Sequence, residues 1–166
     1  MVTKVGINGF GRIGRQVFKA ITDRHGGILE VVAINDLVPT ETNATLLKYD
    51  SNYGQWKRDI RAEDGGIAVD GRLVKVFSDR DPKDIPWGSA GVEIVIESTG
   101  FFTDATKAAG HRRDSVRKVI ISAPAKNEDF TIVLGVNADG YDPSKHHVIS
   151  NASCTTNGIA PMAKTI

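Results

Sequence analysis

The sequence contains little of what marks secreted, membrane or nucleic-acid-binding proteins. A single cysteine among 166 residues excludes a disulfide within the chain and is typical of a reducing compartment. The 21 basic and 20 acidic residues nearly cancel, so net charge favours neither nucleic acid nor an anionic membrane surface. No apolar run approaches the ~18 residues of a membrane span, and the first residues lack the apolar core of a signal peptide. We therefore expect a cytoplasmic protein with no membrane or nucleic-acid partner.

The order of apolar segments predicts an α/β protein. Apolar residues make up 40% of the chain, which is enough for one packed domain. Strand-like and helix-like segments alternate, and runs such as "LEVVAI" are typical of strands that are covered on both faces. We predict a doubly wound, mostly parallel Rossmann-type sheet. The predicted strands cover 5–7, 29–34, 92–96, 119–122, 132–134 and 148–149, the predicted helices 13–24, 44–49, 104–109 and 155–166, a hairpin 68–77 and an irregular loop 51–66.

A glycine-rich segment, "INGFGRIG", joins the first predicted strand to the first predicted helix and supplies Gly9, Gly11 and Gly14. Alone the pattern is weak, because a structural turn also uses glycines, but the strand–turn–helix–strand context strengthens it. In a dinucleotide-binding loop, Gly9 permits the sharp turn, Gly11 lets a pyrophosphate approach the backbone, and Gly14 lets helix and strand pack closely. The helix amides then face the phosphates. The segment therefore predicts dinucleotide binding.

An acidic residue, Asp36, ends the second predicted strand, roughly 20 residues after the glycine loop. Its carboxylate can accept hydrogen bonds from the ribose hydroxyls, and it repels a 2′-phosphate. Asp36 therefore favours NAD over NADP, although a neighbouring loop can override that preference.

The single thiol, Cys154, lies among polar residues just before the last predicted helix. A thiol at a helix N-terminus lies at the positive end of the dipole, which favours the thiolate, and the free amides there can bind an oxyanion. Burial as a small apolar side chain is the alternative, and the polar neighbours disfavour it. No histidine lies in a recognisable partner motif. His146 and His147 have no cysteine or carboxylate at ligand spacing, so we expect no metal site.

Six segments of the chain carry a resemblance to a known family. They are, in order, "GINGFGRIGR", "VVAINDL", "LLKYDS", "ESTGFFT", "VIISAPAKNED" and "HHVISNASCTTN". Together they strongly resemble the phosphorylating glyceraldehyde-3-phosphate dehydrogenases, over nearly the whole chain, and "SNASCTTN" is close to diagnostic. The similar erythrose-4-phosphate dehydrogenases share much of this pattern, and the sequence does not separate the two substrates.

The resemblance implies a set of NAD-binding residues. The backbone of Arg12 and Ile13 matches the part of the family's loop that holds the pyrophosphate, and Asp36 matches the acid that binds the adenosine ribose. The other matched positions are Arg80 near the adenine, Thr99 and Gly100 lining the cleft, and Ser122 near the nicotinamide.

The resemblance also implies a reaction. Cys154 matches the nucleophile, and Ser153 and Thr155 match residues that contact the substrate and its phosphates. In the family the thiolate attacks the aldehyde to give a thiohemiacetal, hydride transfer to NAD leaves a thioester, and inorganic phosphate releases the acyl phosphate. Many members carry a second cysteine four residues later, where this chain has Gly158.

Members of the family are about twice this length, and their catalytic histidine and substrate-phosphate arginine follow the nucleophile. The resemblance therefore implies a dinucleotide-binding domain over 1–153 and, over 154–166, the start of a helix leading into a catalytic domain that is absent. We expect this chain alone to be inactive, and to form a homo-oligomer or pair with the catalytic portion. The alternatives are a non-catalytic dinucleotide-binding or assembly module and, disfavoured by the near-neutral charge, an RNA-binding role of the cleft.

Overall fold

The computed structural model describes residues 2–166. No helix among these residues is long and apolar enough to cross a membrane. The first helix, α1 (Arg12–Ala20), continues into a π-helical turn, Ile21–His25. The elements in chain order are β1 (Thr3–Asn8), α1 (Arg12–Ala20), β2 (Leu29–Asn35), α2 (Thr40–Lys48), β3 (Tyr49–Asp50), β4 (Gly54–Gln55), β5 (Ile60–Glu63), β6 (Gly66–Val69), β7 (Arg72–Phe77), β8 (Ile94–Glu97), α3 (Ala105–Ala108), β9 (Lys118–Ile121), β10 (Phe130–Thr131), β11 (Val148–Ser150) and α4 (Cys154–Thr165).

Nine of the strands form one sheet in the order β10-β11-β9-β8-β1-β2-β7-β6-β5. The strands from β10 to β7 run parallel, and β6 and β5 extend the β7 edge antiparallel. The chain moves from β1 to β2 on one side and later returns to β8 on the other side of β1. This reversal is a topological switch point, and it opens a crevice at the carboxyl ends of β1 and β8. The predicted doubly wound, mostly parallel sheet is confirmed.

Two apolar clusters cover the sheet. In the first, Val5 and Ile7 of β1 pack with Phe18 of α1 and Leu47 of α2. In the second, strands β8 and β9 pack with α3 and with the turn that contains Trp87. Side chains alternate along a strand, so the residue between Val5 and Ile7, a glycine, faces that tryptophan. Helices therefore cover both faces, which explains the continuous apolar strands.

The hairpin prediction is confirmed by its turn. Asp70 and Gly71 have φ of 50° and 79°, so both occupy the left-handed region that a two-residue type I′ turn requires. Two other sequence predictions are wrong. The 51–66 segment is not an irregular loop, because it contains β4 and β5. The strand predicted over 132–134 is displaced to Phe130–Thr131.

The displaced strand has a local cause. The Asn137 side chain accepts the Val133 N–H at 2.8 Å and donates to the Thr131 carbonyl at 2.9 Å. These bonds satisfy backbone groups on the outer side of this edge strand and hold the residues that follow in a turn, although the Ile132 N–H still donates to the Ser150 carbonyl of β11.

We expect the loop before β11 to weaken in acid through Asp142. Hydrogen bonds from the Ser144 hydroxyl and Lys145, together with the Ser144 amide, lower the pKa of Asp142 to about 2 from an ordinary 3.8. Because the folded pKa is the lower one, this group stabilises the fold above about pH 4, and its contribution is lost as pH falls towards about 2. Urea unfolding of Asp142→Asn should therefore show a smaller acid loss over that window than the parent chain. An unchanged loss, or an equal change in the exposed Asp64→Asn control, contradicts this assignment.

Candidate dinucleotide site and nucleophile

A cleft of about 540 Å³ opens at the carboxyl ends of β1, β2 and β8, at the switch point of the sheet. This is where doubly wound sheets bind their ligands. Five of the predicted cofactor-binding residues line it, namely Gly9, Gly11, Asp36, Arg80 and Thr99. Residues that the sequence reasoning did not single out complete the wall: Asn8, Asn35, Leu37, Asp79, Ser98, Phe101 and Phe102. Arg12, Ile13, Gly14, Gly100, Ser122 and the segment around Cys154 are not part of this lining.

An added side chain would have a different effect at each of the three glycines of the loop. Gly9 has φ of 86°, and a Cβ there would lie 2.6 Å from the Thr99 nitrogen. A Cβ on Gly14 would lie 2.2 Å from the Gly9 carbonyl oxygen. Gly11 differs, because a Cβ there would meet no atom within 4 Å. The fold itself requires Gly9 and Gly14, whereas Gly11 leaves open space over the backbone, and this space fits a pyrophosphate.

Helix α1 begins at Arg12 and no side chain caps its N-terminus. Its first amides have no partner within the helix, so they suit an anion. The Arg12 guanidinium turns away to Asp50, whose oxygen lies 3.3 Å from Nη1, and the Ile13 side chain is exposed. These two residues therefore offer backbone N–H groups at the helix start.

Asp36 is oriented by two backbone donors. The Phe10 N–H donates to Oδ2 at 2.6 Å and the Val38 N–H donates to Oδ1 at 2.8 Å. Both oxygens keep further acceptor capacity, because an ionised carboxylate offers about four lone-pair sites. The charge is therefore held firmly on the cleft wall, where it can accept from a diol.

The cleft lining also combines an exposed arginine with apolar surface. Arg80 follows Asp79, whose backbone is held by Asn35 through bonds of 2.9 Å to both its N–H and its carbonyl. Leu37 and Phe101 are 51% and 85% exposed and line the same cavity. Exposed apolar side chains and an arginine in the same lining provide surfaces on which a planar base can stack.

A fully buried carboxylate lies below the turn after β8. Glu97 accepts from the Thr99 N–H at 2.9 Å and hydroxyl at 2.5 Å, and from the Asn8 amide at 2.6 Å. His111, also buried, contacts its other side. A polar residue at the end of each of β1, β2 and β8 was the available signal for this cluster, since these strands end at the same sheet edge.

Cys154 is exposed and is the first residue of α4. Ser153 caps the helix, because its Oγ accepts the Thr156 N–H at 2.9 Å. Ala152 before it has φ of 56°, an uncommon value for a residue with a Cβ, and it marks a sharp turn from β11 into α4. Cys154 therefore lies at a helix N-terminus, as the sequence predicted.

Sheet order relates the thiol to the cleft. β11 lies three strands from β1, about 14 Å away at ordinary strand spacing, and all these strands are parallel, so the turn after β11 that leads to Cys154 is at the same edge of the sheet as the cleft. Ser122 follows β9, between them, and its N–H donates to the Glu97 carbonyl at 2.9 Å. Gly100 follows β8. An extended ligand that starts near Asp36 would cross these positions towards the thiol.

Three of the four histidines make contacts away from the thiol, and the exposed His25 ends the π-helical turn after α1. Within residues 2–166 none of them hydrogen-bonds Cys154. His111 is buried beside Glu97, His146 accepts the Asp142 N–H and stacks on Phe130, and His147 meets Lys118. His146 and His147 thus support the loop before β11.

The fold, the glycine loop and the acid after β2 define a dinucleotide-binding α/β domain. Residues 3–105 match the family model described as glyceraldehyde 3-phosphate dehydrogenase, NAD binding domain. The chain belongs to this family, and NAD is the family's cofactor. The predicted resemblance is confirmed.

Curated relatives extend the match to the whole chain. It is 57% identical over 166 residues to glyceraldehyde-3-phosphate dehydrogenase of Streptomyces coelicolor, and 55% identical over 166 residues to that of Geobacillus stearothermophilus. It is also 57% identical over 166 residues to glyceraldehyde-3-phosphate dehydrogenase 2 of Streptomyces avermitilis. The alignments cover 100% of this chain but 49% of each relative. The chain therefore spans about half the length of the curated relatives it matches.

Proposed function

We propose that this chain binds NAD and carries the nucleophile of a phosphorylating glyceraldehyde-3-phosphate dehydrogenase. The observation that supports this most directly is the placement of an open glycine cradle, an oriented acid and an exposed helix-start thiol along one sheet edge. On this proposal residues 1–153 are the dinucleotide-binding domain, and 154–166 begin the helix that leads towards a catalytic domain. The lone free thiol fits a reducing, cytoplasmic location.

The proposed cofactor contacts follow the strand order. The amides of Gly11, Arg12 and Ile13 hold the pyrophosphate, while Gly9 and Gly14 shape the loop. Asp36 accepts from the adenosine ribose and Arg80 faces the adenine. The nicotinamide end then lies over the strands between β8 and β11, where Thr99, Gly100 and Ser122 are placed. When bound, NAD supplies the hydride acceptor for the oxidation.

The proposed role of Cys154 is covalent. Its thiolate forms a C–S bond to the aldehyde carbon, and amides of the first α4 turn can stabilise the resulting oxyanion. After oxidation the group is a thioester, and inorganic phosphate attacks its carbonyl so that the C–S bond breaks and the thiolate leaves. Ser153 and Thr155, on either side, are placed to contact the substrate and phosphate.

Turnover also needs a base, and no histidine between residues 2 and 166 is hydrogen-bonded to Cys154. We therefore propose that this chain alone binds cofactor without appreciable turnover. Formation of acyl phosphate by the purified chain would contradict this. The residues that distinguish glyceraldehyde 3-phosphate from erythrose 4-phosphate are expected outside this chain, so both sugar phosphates remain candidate substrates.

Calorimetric titration of the 166-residue chain with NAD, and in parallel with NADP, tests the binding proposal. We expect saturable binding of NAD and weaker binding of NADP, because Asp36 repels a 2′-phosphate. Circular dichroism must first establish that the sample is folded. A folded chain that releases no heat with NAD would overturn the proposal.

A non-catalytic dinucleotide-binding module is the second candidate, favoured by the absence of any histidine bonded to Cys154 among residues 2–166. The alkylation rate of Cys154, compared with that of a small model thiol, separates the two. An activated nucleophile reacts faster than the model thiol, whereas a module needs no such activation.

We also expect the chain to self-associate through α4. Ile159 and Met162 are 63% and 62% exposed on this helix, and Leu134, which is 71% exposed, belongs to the turn that Lys164 contacts. Contiguous exposed apolar residues of this kind promote association. Light scattering should show species larger than a monomer, and Ile159→Lys with Met162→Lys should reduce them. The exposed but remote Ile28→Lys serves as the control, and a monodisperse monomer at high concentration contradicts the expectation.

A further inference from the structure

A buried network of polar side chains lies beneath the cleft. It consists of Trp87, His111, Glu97, Asn8 and Asn35, each at most 3% exposed, and is called here the Glu97 network. Burying such groups is costly unless each one is hydrogen-bonded, so the donor and acceptor assignments within the network are strongly constrained.

On one side of Glu97 the hydrogen-bond direction is fixed by an indole. The Trp87 Nε1–H can only donate, and it lies 3.1 Å from His111 Nδ1. That nitrogen must therefore be the acceptor, so the ring proton is on Nε2. Nε2 lies 2.9 Å from Glu97 Oε2, and the histidine thus donates to the carboxylate.

On the other side the direction is fixed by the backbone. The Asp79 N–H donates to Asn35 Oδ1 at 2.9 Å, and Asn35 Nδ2 donates to Asn8 Oδ1 at 2.8 Å. Asn8 Nδ2 then donates to Glu97 Oε2 at 2.6 Å. Each hydrogen bond from Asp79 through Asn35 and Asn8 is therefore also donated in the direction of Glu97.

The second carboxylate oxygen holds the turn after β8. Glu97 Oε1 accepts the N–H and the hydroxyl of Thr99. Four donors therefore converge on one carboxylate, two on each oxygen. A glutamine amide has one oxygen and one NH₂ group, so it cannot accept at both ends. Whichever way it turns, it faces donors that have no other partner.

We propose that Glu97 is a positioning residue that couples the two walls of the cleft. One wall is the Asp79–Arg80 segment, which it reaches through Asn8 and Asn35. The other is the Thr99–Gly100 turn, which it binds directly. A single buried carboxylate thereby sets the spacing between the adenosine end and the nicotinamide end of the site. The ligand measurement below rests on the proposed NAD binding, whereas the exchange measurement does not.

Amide hydrogen exchange of Glu97→Gln tests the coupling without any ligand. We expect the Thr99 and Asp79 amides to lose protection together, although Asp79 does not touch Glu97. The matched control is Glu93→Gln, which removes a carboxylate paired with Arg117 at the opposite end of β8. Faster exchange at Thr99 alone, with Asp79 unchanged, would overturn the proposal.

Calorimetry adds the ligand readout, below the unfolding temperature of both chains. We expect Glu97→Gln to bind AMP, a probe of the adenosine end only, about tenfold more weakly than the parent. A variant that loses NAD affinity but keeps parental AMP affinity would overturn the coupling. A parent chain that binds neither ligand refutes the proposed function, and the coupling through Glu97 is then tested by the hydrogen-exchange result alone.

A second pair of variants covers the case in which Glu97→Gln does not fold. The terminal amide nitrogen of His111→Gln can occupy the Nε2 position and still donate to Glu97, whereas His111→Asn can replace only Nδ1. We expect the glutamine variant to keep Asp79 protection close to parental and the asparagine variant to lose it. Equal loss in both variants would indicate a packing role and contradict the proposal.

Discussion

Replacing Gly14 by alanine should destabilise the chain by about 3 kcal/mol and abolish NAD binding. The added Cβ would lie 2.2 Å from the Gly9 carbonyl oxygen, with Ile7 Cγ2 and Ser98 Oγ each 3.1 Å away. The first of these neighbours is backbone, which cannot move without shifting the loop against β1. Urea unfolding measures the stability change, and calorimetry measures the binding.

Gly11→Ala is the matched control, and we expect it to change the stability of the chain only slightly. Its Cβ meets nothing within 4 Å and its φ of −68° is ordinary for alanine, so the free energy of unfolding should fall by no more than about 1 kcal/mol, the cost of alanine in place of glycine at a helix N-cap. NAD binding should still be lost, because the methyl group enters the space proposed for the pyrophosphate. Gly11→Ala with parental NAD affinity would contradict the assignment of this loop.

This pair of glycines also shows what the sequence could predict. The motif, its strand and its helix are contiguous, so local spacing alone predicted the turn, the close packing and the open approach. Asp36 was predictable for the same reason, since it ends the strand that follows. These features depend on neighbours along the chain, where pattern and structure coincide.

The Glu97 network was not predictable in that way. Asn8 and Glu97 are 89 residues apart and become neighbours only when β1 and β8 pair. The Asp79 backbone is linked to the same cluster by the side chain of Asn35, the last residue of β2. A polar residue at one strand end means little until the sheet order places several of them together. The sequence therefore predicted the glycine turn and its close packing against β1 but not the buried polar groups beneath the cleft.

Local backbone detail was the other limit. The strand predicted over 132–134 was wrong because the Asn137 side chain holds the backbone there in a turn, and sequence patterns do not reveal such a contact. The left-handed Ala152 is similar, since alanine gives no signal of positive φ. That turn nevertheless places Cys154 at the start of α4, so the prediction of a helix-start thiol was correct while its structural cause was hidden.

Removing the Asp36 carboxylate should change cofactor preference more than any other single substitution in the cleft. In Asp36→Ala we expect NAD affinity to fall about tenfold or more, since hydrogen bonds to a charged acceptor are lost. NADP should lose no such bonds and should no longer meet a negative charge beside its 2′-phosphate. The ratio of NAD to NADP affinity, measured by paired calorimetric titrations, should therefore fall by about a hundredfold.

Asp79→Ala separates a specific contact from a general effect of charge. Asp79 lines the same cavity, so its removal lowers the negative potential of the cleft by one charge as well. Only Asp36, however, has its carboxylate fixed by two backbone donors at the end of β2, where a ribose bound to the glycine loop would lie. An equal change in the affinity ratio for both variants would show that Asp36 acts only through the overall potential of the cleft. A change confined to Asp36→Ala supports direct recognition of the ribose, and thus the proposed orientation of NAD from Asp36 towards Cys154.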